Sequence, residues 1–176
     1  RSIVTDLIGN VYTTGGFKGT VDFDPGIGVA NLTSSSRHDI FIQKLDSSGN
    51  FLWAKRIGGN NTDWPSSLKI DKRGNILIAG TFRDTVDFDP GPGVYNLAPR
   101  AFNEVFILKL SSSGNFIWAK RMDANSTSST GVTALAVDMD NNICVSGYFS
   151  GTVDFDPGNG KYTQKSIGKN DIYVLK

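Results

Sequence analysis

Thr20-Val21-Asp22-Phe23-Asp24-Pro25-Gly26 is written again from Thr85 to Gly91 and a third time from Thr152 to Gly158. Asp22 and Asp87 stand 65 positions apart, and Asp87 and Asp154 stand 67 apart. Such a period calls for stacked copies of one supersecondary unit rather than a single mixed domain. The same offsets carry Asp6-Leu7-Ile8-Gly9-Asn10 onto Asp71-Lys72-Arg73-Gly74-Asn75 and then onto Asp138-Met139-Asp140-Asn141-Asn142. The slot held by Gly9, Gly74 and Asn141 takes only residues that tolerate positive φ, which predicts a hairpin turn in each copy. A second turn repeats from Asp46 to Asn50 and from Ser111 to Asn115.

Short segments rich in β-branched and aromatic residues separate these turns, and their length suits strands rather than helices. In the first copy they are Ile3 to Thr5, Val11 to Gly15, Asp39 to Leu45 and Phe51 to Arg56. The second copy repeats them as Leu68 to Ile70, Ile76 to Gly80, Glu104 to Leu110 and Phe116 to Arg121. The third has Leu135 to Val137, Ile143 to Gly147 and Asp171 to Lys176, with no counterpart of the fourth segment. The second segment of each copy is expected to run through Phe17, Phe82 or Phe149 straight into the Asp-Phe-Asp-Pro-Gly turn. Eleven strands are therefore predicted. A small antiparallel sheet with two apolar faces can bury them only against neighbouring sheets. The fold class is thus all-β: a β-propeller segment of three four-stranded antiparallel blades, the last lacking its outer strand. The blades are assigned to residues 1–57, 58–122 and 123–176. Because a ring closes with roughly four to eight blades, the array is expected to belong to a larger propeller. Its first partners are then the remaining blades of the same protein or other copies of the chain.

The charges are balanced, with 18 basic and 17 acidic residues. No overall field draws the chain to nucleic acid, and no apolar stretch approaches the roughly 20 residues of a bilayer span. Neither nucleic-acid binding nor membrane insertion is expected. Lys55-Arg56 and Lys120-Arg121 recur at one position of the fourth strand, where charge protects a solvated sheet edge. Cys144, the only cysteine, aligns with Tyr12 and Leu77 and is read as a packing residue.

An enzyme needs convergent reactive groups, and the inventory is thin. His38 is the only histidine; it aligns with Asn103 and Asn170 in a loop, which favours a turn-bonding or solvent-facing role. No catalytic residue is assigned. The acidic pairs Asp22 and Asp24, Asp87 and Asp89, and Asp154 and Asp156 carry the i, i+2 spacing that places both carboxylates on one face of an extended strand, with Phe23, Phe88 and Phe155 opposite. That pattern admits calcium as the one cofactor to consider, although calcium takes roughly six to eight oxygens and no closing acidic residue follows. Asp before Pro-Gly is equally a turn signature, with Pro fixing φ and Gly accepting positive φ. Features confined to one blade are freer to serve a ligand than repeated ones. Trp64, Arg37, His38 and Tyr95 are of this kind and form the candidate ligand-binding set, with Trp64 as a platform for a sugar or as a seal between blades. Trp53 and Trp118 repeat and are read as packing residues. The two extra residues of the longer period enter between positions 123 and 131.

Gly9 to Gly15 together with Asp39 to Gly59, which includes Asp-Ile-Phe-Ile-Gln-Lys-Leu-Asp-Ser-Ser-Gly-Asn-Phe-Leu-Trp-Ala-Lys-Arg, resembles the bacterial β-propeller repeats called SBBP repeats. The resemblance covers essentially the whole chain. The Val-Asp-Phe-Asp-Pro-Gly insert resembles the variant found in large secreted and surface proteins of Bacteroidetes-type bacteria, many of which leave by the type IX secretion system. The resemblance implies an extracellular or cell-surface location and a non-enzymatic scaffold or recognition module for a glycan or surface protein. Membership of a polysaccharide-degrading enzyme or of a surface filament is the alternative it leaves open.

Overall fold

The computed structural model describes residues 1–125 and 127–176; Ser126, inside the expected insertion between 123 and 131, lies outside them. The first copy contains β1 (Ser2–Thr5), β2 (Val11–Phe17), β3 (Thr20–Asp22), β4 (Asn31–Thr33), β5 (Asp39–Leu45) and β6 (Phe51–Ile57). The second contains β7 (Trp64–Ile70), β8 (Ile76–Phe82), β9 (Val86–Asp87), β10 (Asn96–Leu97), β11 (Glu104–Leu110) and β12 (Phe116–Arg121). The third follows with β13 (Asp123–Ala124), β14 (Ser129–Val137), β15 (Ile143–Ser150), β16 (Thr152–Asp154), β17 (Thr163–Lys165) and β18 (Asp171–Leu175).

Three antiparallel sheets carry the architecture, in the orders β1-β2-β5-β6, β7-β8-β11-β12 and β14-β15-β18. These are two four-stranded blades and a third without its outer strand, as the repeat predicts. Among the described residues, eighteen strands replace the eleven expected, because the segment after β2, β8 or β15 does not run directly into a turn. It folds as a separate short hairpin: β3 with β4, β9 with β10, and β16 with β17, to which β13 adds a third strand. Strands of two or three residues are too short to show a period of two, so the sequence pattern hides them.

The heptapeptide's phenylalanine pins each hairpin to its blade. Phe23 lies between Phe17 and Phe41 with centroid distances of 5.3 and 4.7 Å. Phe88 lies between Phe82 and Phe106 at 5.4 and 4.9 Å, and Phe155 between Phe149 and Tyr173 at 5.0 and 5.1 Å. Edge-on and tilted aromatic contacts of this length add roughly 0.5–1.5 kcal/mol beyond area burial.

The core lies in the seams between sheets. Tyr12, Ile40, Ile42 and Ile57 of the first sheet pack with Leu68, Ile76, Ile78, Phe106 and Leu108 of the second. Leu77, Val105 and Ile107 on the second sheet's other face, with Met122 just beyond β12, pack with Leu135, Val145, Phe149 and Tyr173 of the third. Trp53 and Trp118 join these two clusters, in line with their packing role. Gly9, Gly74 and Asn141 have φ of 85°, 79° and 62°, as the hairpin turns require. Cys144 is half-buried on β15. The described residues contain no helix long and apolar enough to cross a membrane.

Candidate functional site

Each acidic pair closes its hairpin. Asp22 Oδ1 accepts hydrogen bonds from the backbone N–H of Asp24 (3.0 Å) and of Ala30 (2.8 Å), while Asp24 Oδ1 accepts from Gly26 N–H at 2.7 Å. Asp87 and Asp89 repeat the arrangement with Asp89, Tyr95 and Gly91, and Asp154 and Asp156 repeat it with Asp156, Tyr162 and Gly158. The first carboxylate therefore ties the two ends of the loop together. The second holds the Pro-Gly corner. The expectation of positive φ at Gly26, Gly91 and Gly158 is corrected: none of them is among the positive-φ glycines. The glycine two positions later has a steric reason, since a Cβ on Gly28, Gly93 or Gly160 would stand 2.1, 2.2 or 1.9 Å from the Oδ2 of Asp24, Asp89 or Asp156. In each hairpin the Oδ2 of the second carboxylate thus packs over that glycine. Among the described residues, no group of three or more His, Cys, Asp or Glu side chains gathers as metal ligands.

Trp64 is the first residue of β7 rather than a loop residue, and the structure brings it onto His38, with the rings stacked at 4.7 Å. The Arg1 guanidinium lies 4.4 Å from the indole centroid. The ring also fills the space above Gly16 of the first sheet, where a Cβ would meet it at 2.1 Å. Trp64 thus seals the seam between the first two sheets. His38 is half-buried against it instead of facing solvent, and Arg37 beside it is exposed. Tyr95 sits elsewhere, with its ring tilted on Phe116 at 4.7 Å and about two-fifths exposed.

Three buried acids of the seams were not singled out by the sequence. Asp39 and Glu104 open β5 and β11 at equivalent positions and are fully buried. Asp39 pairs with Arg56 Nη1 at 2.5 Å, and Glu104 with Arg121 Nη1 at 2.9 Å. The Lys-Arg repeat is therefore only half a solvated edge: its arginine reaches back to a buried acid. The signal was present in the sequence as an acid and an arginine repeated 17 positions apart. Asp63 has no such cation. Its Oδ2 accepts from Gly59 N–H and its Oδ1 from Arg83 N–H, each at 3.0 Å. Burial pushes its carboxyl up to about 6 against those two hydrogen bonds, with Asp39 and Asp84 adding to the rise.

Beside these acids the seams open to solvent in two equivalent clefts. The first, of about 430 Å³, is bounded by Lys55 and Arg56 on one wall and by Asp87, Asp89 and Pro90 on the other, with Leu32 between. The second, of about 200 Å³, has Lys120, Arg121, Asp156, Pro157 and Leu97 at the same positions, with Tyr95 added, Asp123 paired to Arg121 where the first has Gly58, and no counterpart of Asp87. Side chains of this kind can exchange hydrogen bonds with a polar ligand. They do not assemble a nucleophile with its base.

Residues 52–81 match the family model described as a β-propeller repeat, SBBP. The chain is 27% identical, over 97% of its length, to an uncharacterized WD repeat-containing protein of Acanthamoeba polyphaga mimivirus. It is 24% identical, over 91% of its length, to the regulatory protein FlaEY of Caulobacter vibrioides. It spans 14% and 17% of the lengths of these two relatives. These likenesses support the β-propeller repeat family, and the first of the two relatives is named for WD repeats.

Proposed function

We propose that this chain is a recognition scaffold: a non-enzymatic stretch of β-propeller in a larger secreted or cell-surface bacterial protein, holding a glycan or protein partner at its seams and loops. One observation carries the reading. The ionisable groups best placed for chemistry, Asp39, Glu104 and Asp63, already bond to Arg56, to Arg121 and to backbone amides. Their geometry fixes neighbouring strands and the connections between blades, and what remains free at each seam is a polar surface suited to binding. On this reading the Asp-x-Asp-Pro-Gly hairpins are structural. The likeness to a WD repeat-containing protein agrees with a scaffold; the extracellular location rests on the resemblance of the Val-Asp-Phe-Asp-Pro-Gly insert to the secreted variant of the repeat.

The experiment uses the purified chain and an antibody raised against it. The antibody should label intact cells that make the parent protein, and the biotinylated chain should bind saturably to surface extracts of those cells. Labelling that appears only after lysis overturns the location. Absence of saturable binding at micromolar concentrations overturns recognition.

A further inference from the structure

The two seam clefts are copies of one design, yet their walls do not close. Lys55 and Lys120 each face the Asp-Pro-Gly corner of the following hairpin, and among the described residues neither forms an ion pair with it. Lys55 is directed into the seam, because its stem runs over Gly114 of the second sheet, where a Cβ would lie 3.4 Å from Lys55 Cγ. Across the cleft, Asp87 and Asp89 use Oδ1 to hold their own loop; Asp89 Oδ2 packs over Gly93 of that loop, and Asp87 Oδ2 accepts no hydrogen bond from the described residues. Lys55, beside an arginine already held by Asp39, thus confronts the Asp87 carboxylate with open space between.

That arrangement selects its ligand by charge. An anion drawn to the Lys-Arg wall is repelled by the aspartates and a cation drawn to the aspartates by the Lys-Arg wall, so neither net charge is favoured. A hydroxyl donates and accepts at once, so a neutral polyol can bond to both walls. Leu32 and Pro90 supply a small apolar floor for the C–H face of a sugar ring. Size separates the two copies: small-molecule sites generally span roughly 300–1,000 Å³. The first cleft, at about 430 Å³, falls in that range, and the second, at about 200 Å³, does not. Tyr95 helps to fill the second cleft, where the first has Ala30 at the equivalent position.

We infer that the cleft between the first and second blades, bounded by Lys55, Leu32, Asp87, Asp89 and Pro90, is a binding site for a neutral saccharide unit. The inference rests on the recognition reading above and names its ligand class. It is tested by isothermal titration and amide NMR of the whole chain with cellotetraose, maltotetraose and laminaritetraose. Tetragalacturonate and an unstructured peptide serve as charged and polypeptide controls. Two variants alter the cleft without touching the seam core: Lys55→Ala removes the donor, and Ala30→Tyr installs the residue of the second blade. Unchanged thermal midpoints establish that both variants fold.

The expected result is binding of at least one neutral tetrasaccharide, with shifts at the Gly58 and Gly91 amides and affinity reduced at least tenfold in both variants. No binding of any neutral sugar at 10 mM, or binding unchanged in both variants, overturns the site. Preference for tetragalacturonate or the peptide overturns the ligand class. Each of these results leaves recognition standing if the chain still binds cell-surface extracts, so the two failures are separable.

Discussion

Asp63 shows how a single residue can hold a seam and weaken it at once. It is buried, accepts two backbone hydrogen bonds and has no cation beside it. The corresponding slot of the next blade, fixed by the pairing of Trp64 with Thr81 and of Gly131 with Tyr148, holds the neutral Thr130, which serves the backbone of Asn103 and Val105. With a folded-state value of about 6 against 3.8 for the ordinary carboxyl, the folded chain takes up the proton more readily than the unfolded one. Asp63 therefore contributes stability that is fully present below about pH 4 and is lost as the pH rises through 6. Asp71 runs the other way. Burial raises it, but hydrogen bonds from Lys109 and Asn75 hold it below the ordinary value, so its contribution is lost as the pH falls. A difference measurement isolates Asp63. Between pH 7 and pH 4.5 the wild type should gain on the order of 2 kcal/mol in urea-unfolding stability relative to Asp63→Asn. Parallel pH profiles for the two proteins would show that Asp63 is not ionised under strain.

At the scale of elements, strands are joined by their buried acid–arginine pairs as well as by their ladders. Glu104 opens β11, and Arg121 ends β12, 17 positions later. Glu104 Oε1 also accepts from the backbone N–H of Arg100 and of Ala124, so one carboxylate fastens the loop before β11 and the strand that leads to the third blade. Removing the cation leaves that charge buried and uncompensated, a change that costs roughly 3–5 kcal/mol in enclosed pairs. The Arg121 side chain is 18% exposed, which places Arg121→Met near 3 kcal/mol in chemical denaturation; Glu104→Gln in the same background should recover much of the loss. If the double variant is no more stable than Arg121→Met, the strain on Glu104 is not the cause. The strand order of the three main sheets was legible from the sequence because turns and apolar segments recur at fixed offsets. The pairs were less so, because Lys120-Arg121 read in isolation looks like a charged edge. The β9–β10 hairpin was hidden for another reason: its two-residue strands owe their pairing to Asp87 and Phe88, not to a pattern of their own. Trp64, confined to one blade and read as a loop residue by comparison with the segment from 123 to 131, begins β7, where a register shift between Pro65 and Ser67 accommodates the proline.

Over the whole molecule, stability should follow the seams. In a repeat array it approximates a sum of unit stabilities and nearest-neighbour interfaces. The second sheet takes part in both apolar clusters, with Ile76 and Ile78 facing one and Leu77 and Ala79 the other. Burial along β8 and β11 is accordingly almost unbroken. On β2 and β18 buried and less buried residues alternate, with Ile172 and Val174 of β18 exposed at 87% and 79%. Opening the first or third sheet breaks one seam; opening the second breaks two. Native-state hydrogen exchange reports such partial openings residue by residue. Amides of β8 and β11 should exchange at the rate of global unfolding. Those of β2 and β5, and of β15 and β18, should exchange at least about 100-fold faster, a gap of roughly 3 kcal/mol that one seam of aliphatic and aromatic side chains readily supplies. The substitution Leu68→Ala, made in the first seam, should speed exchange in β2 and β5 more than in β15. A common rate for β2, β8 and β15 in both proteins would mean that the three sheets open as one cooperative unit, and the account in which each seam adds separately would be wrong.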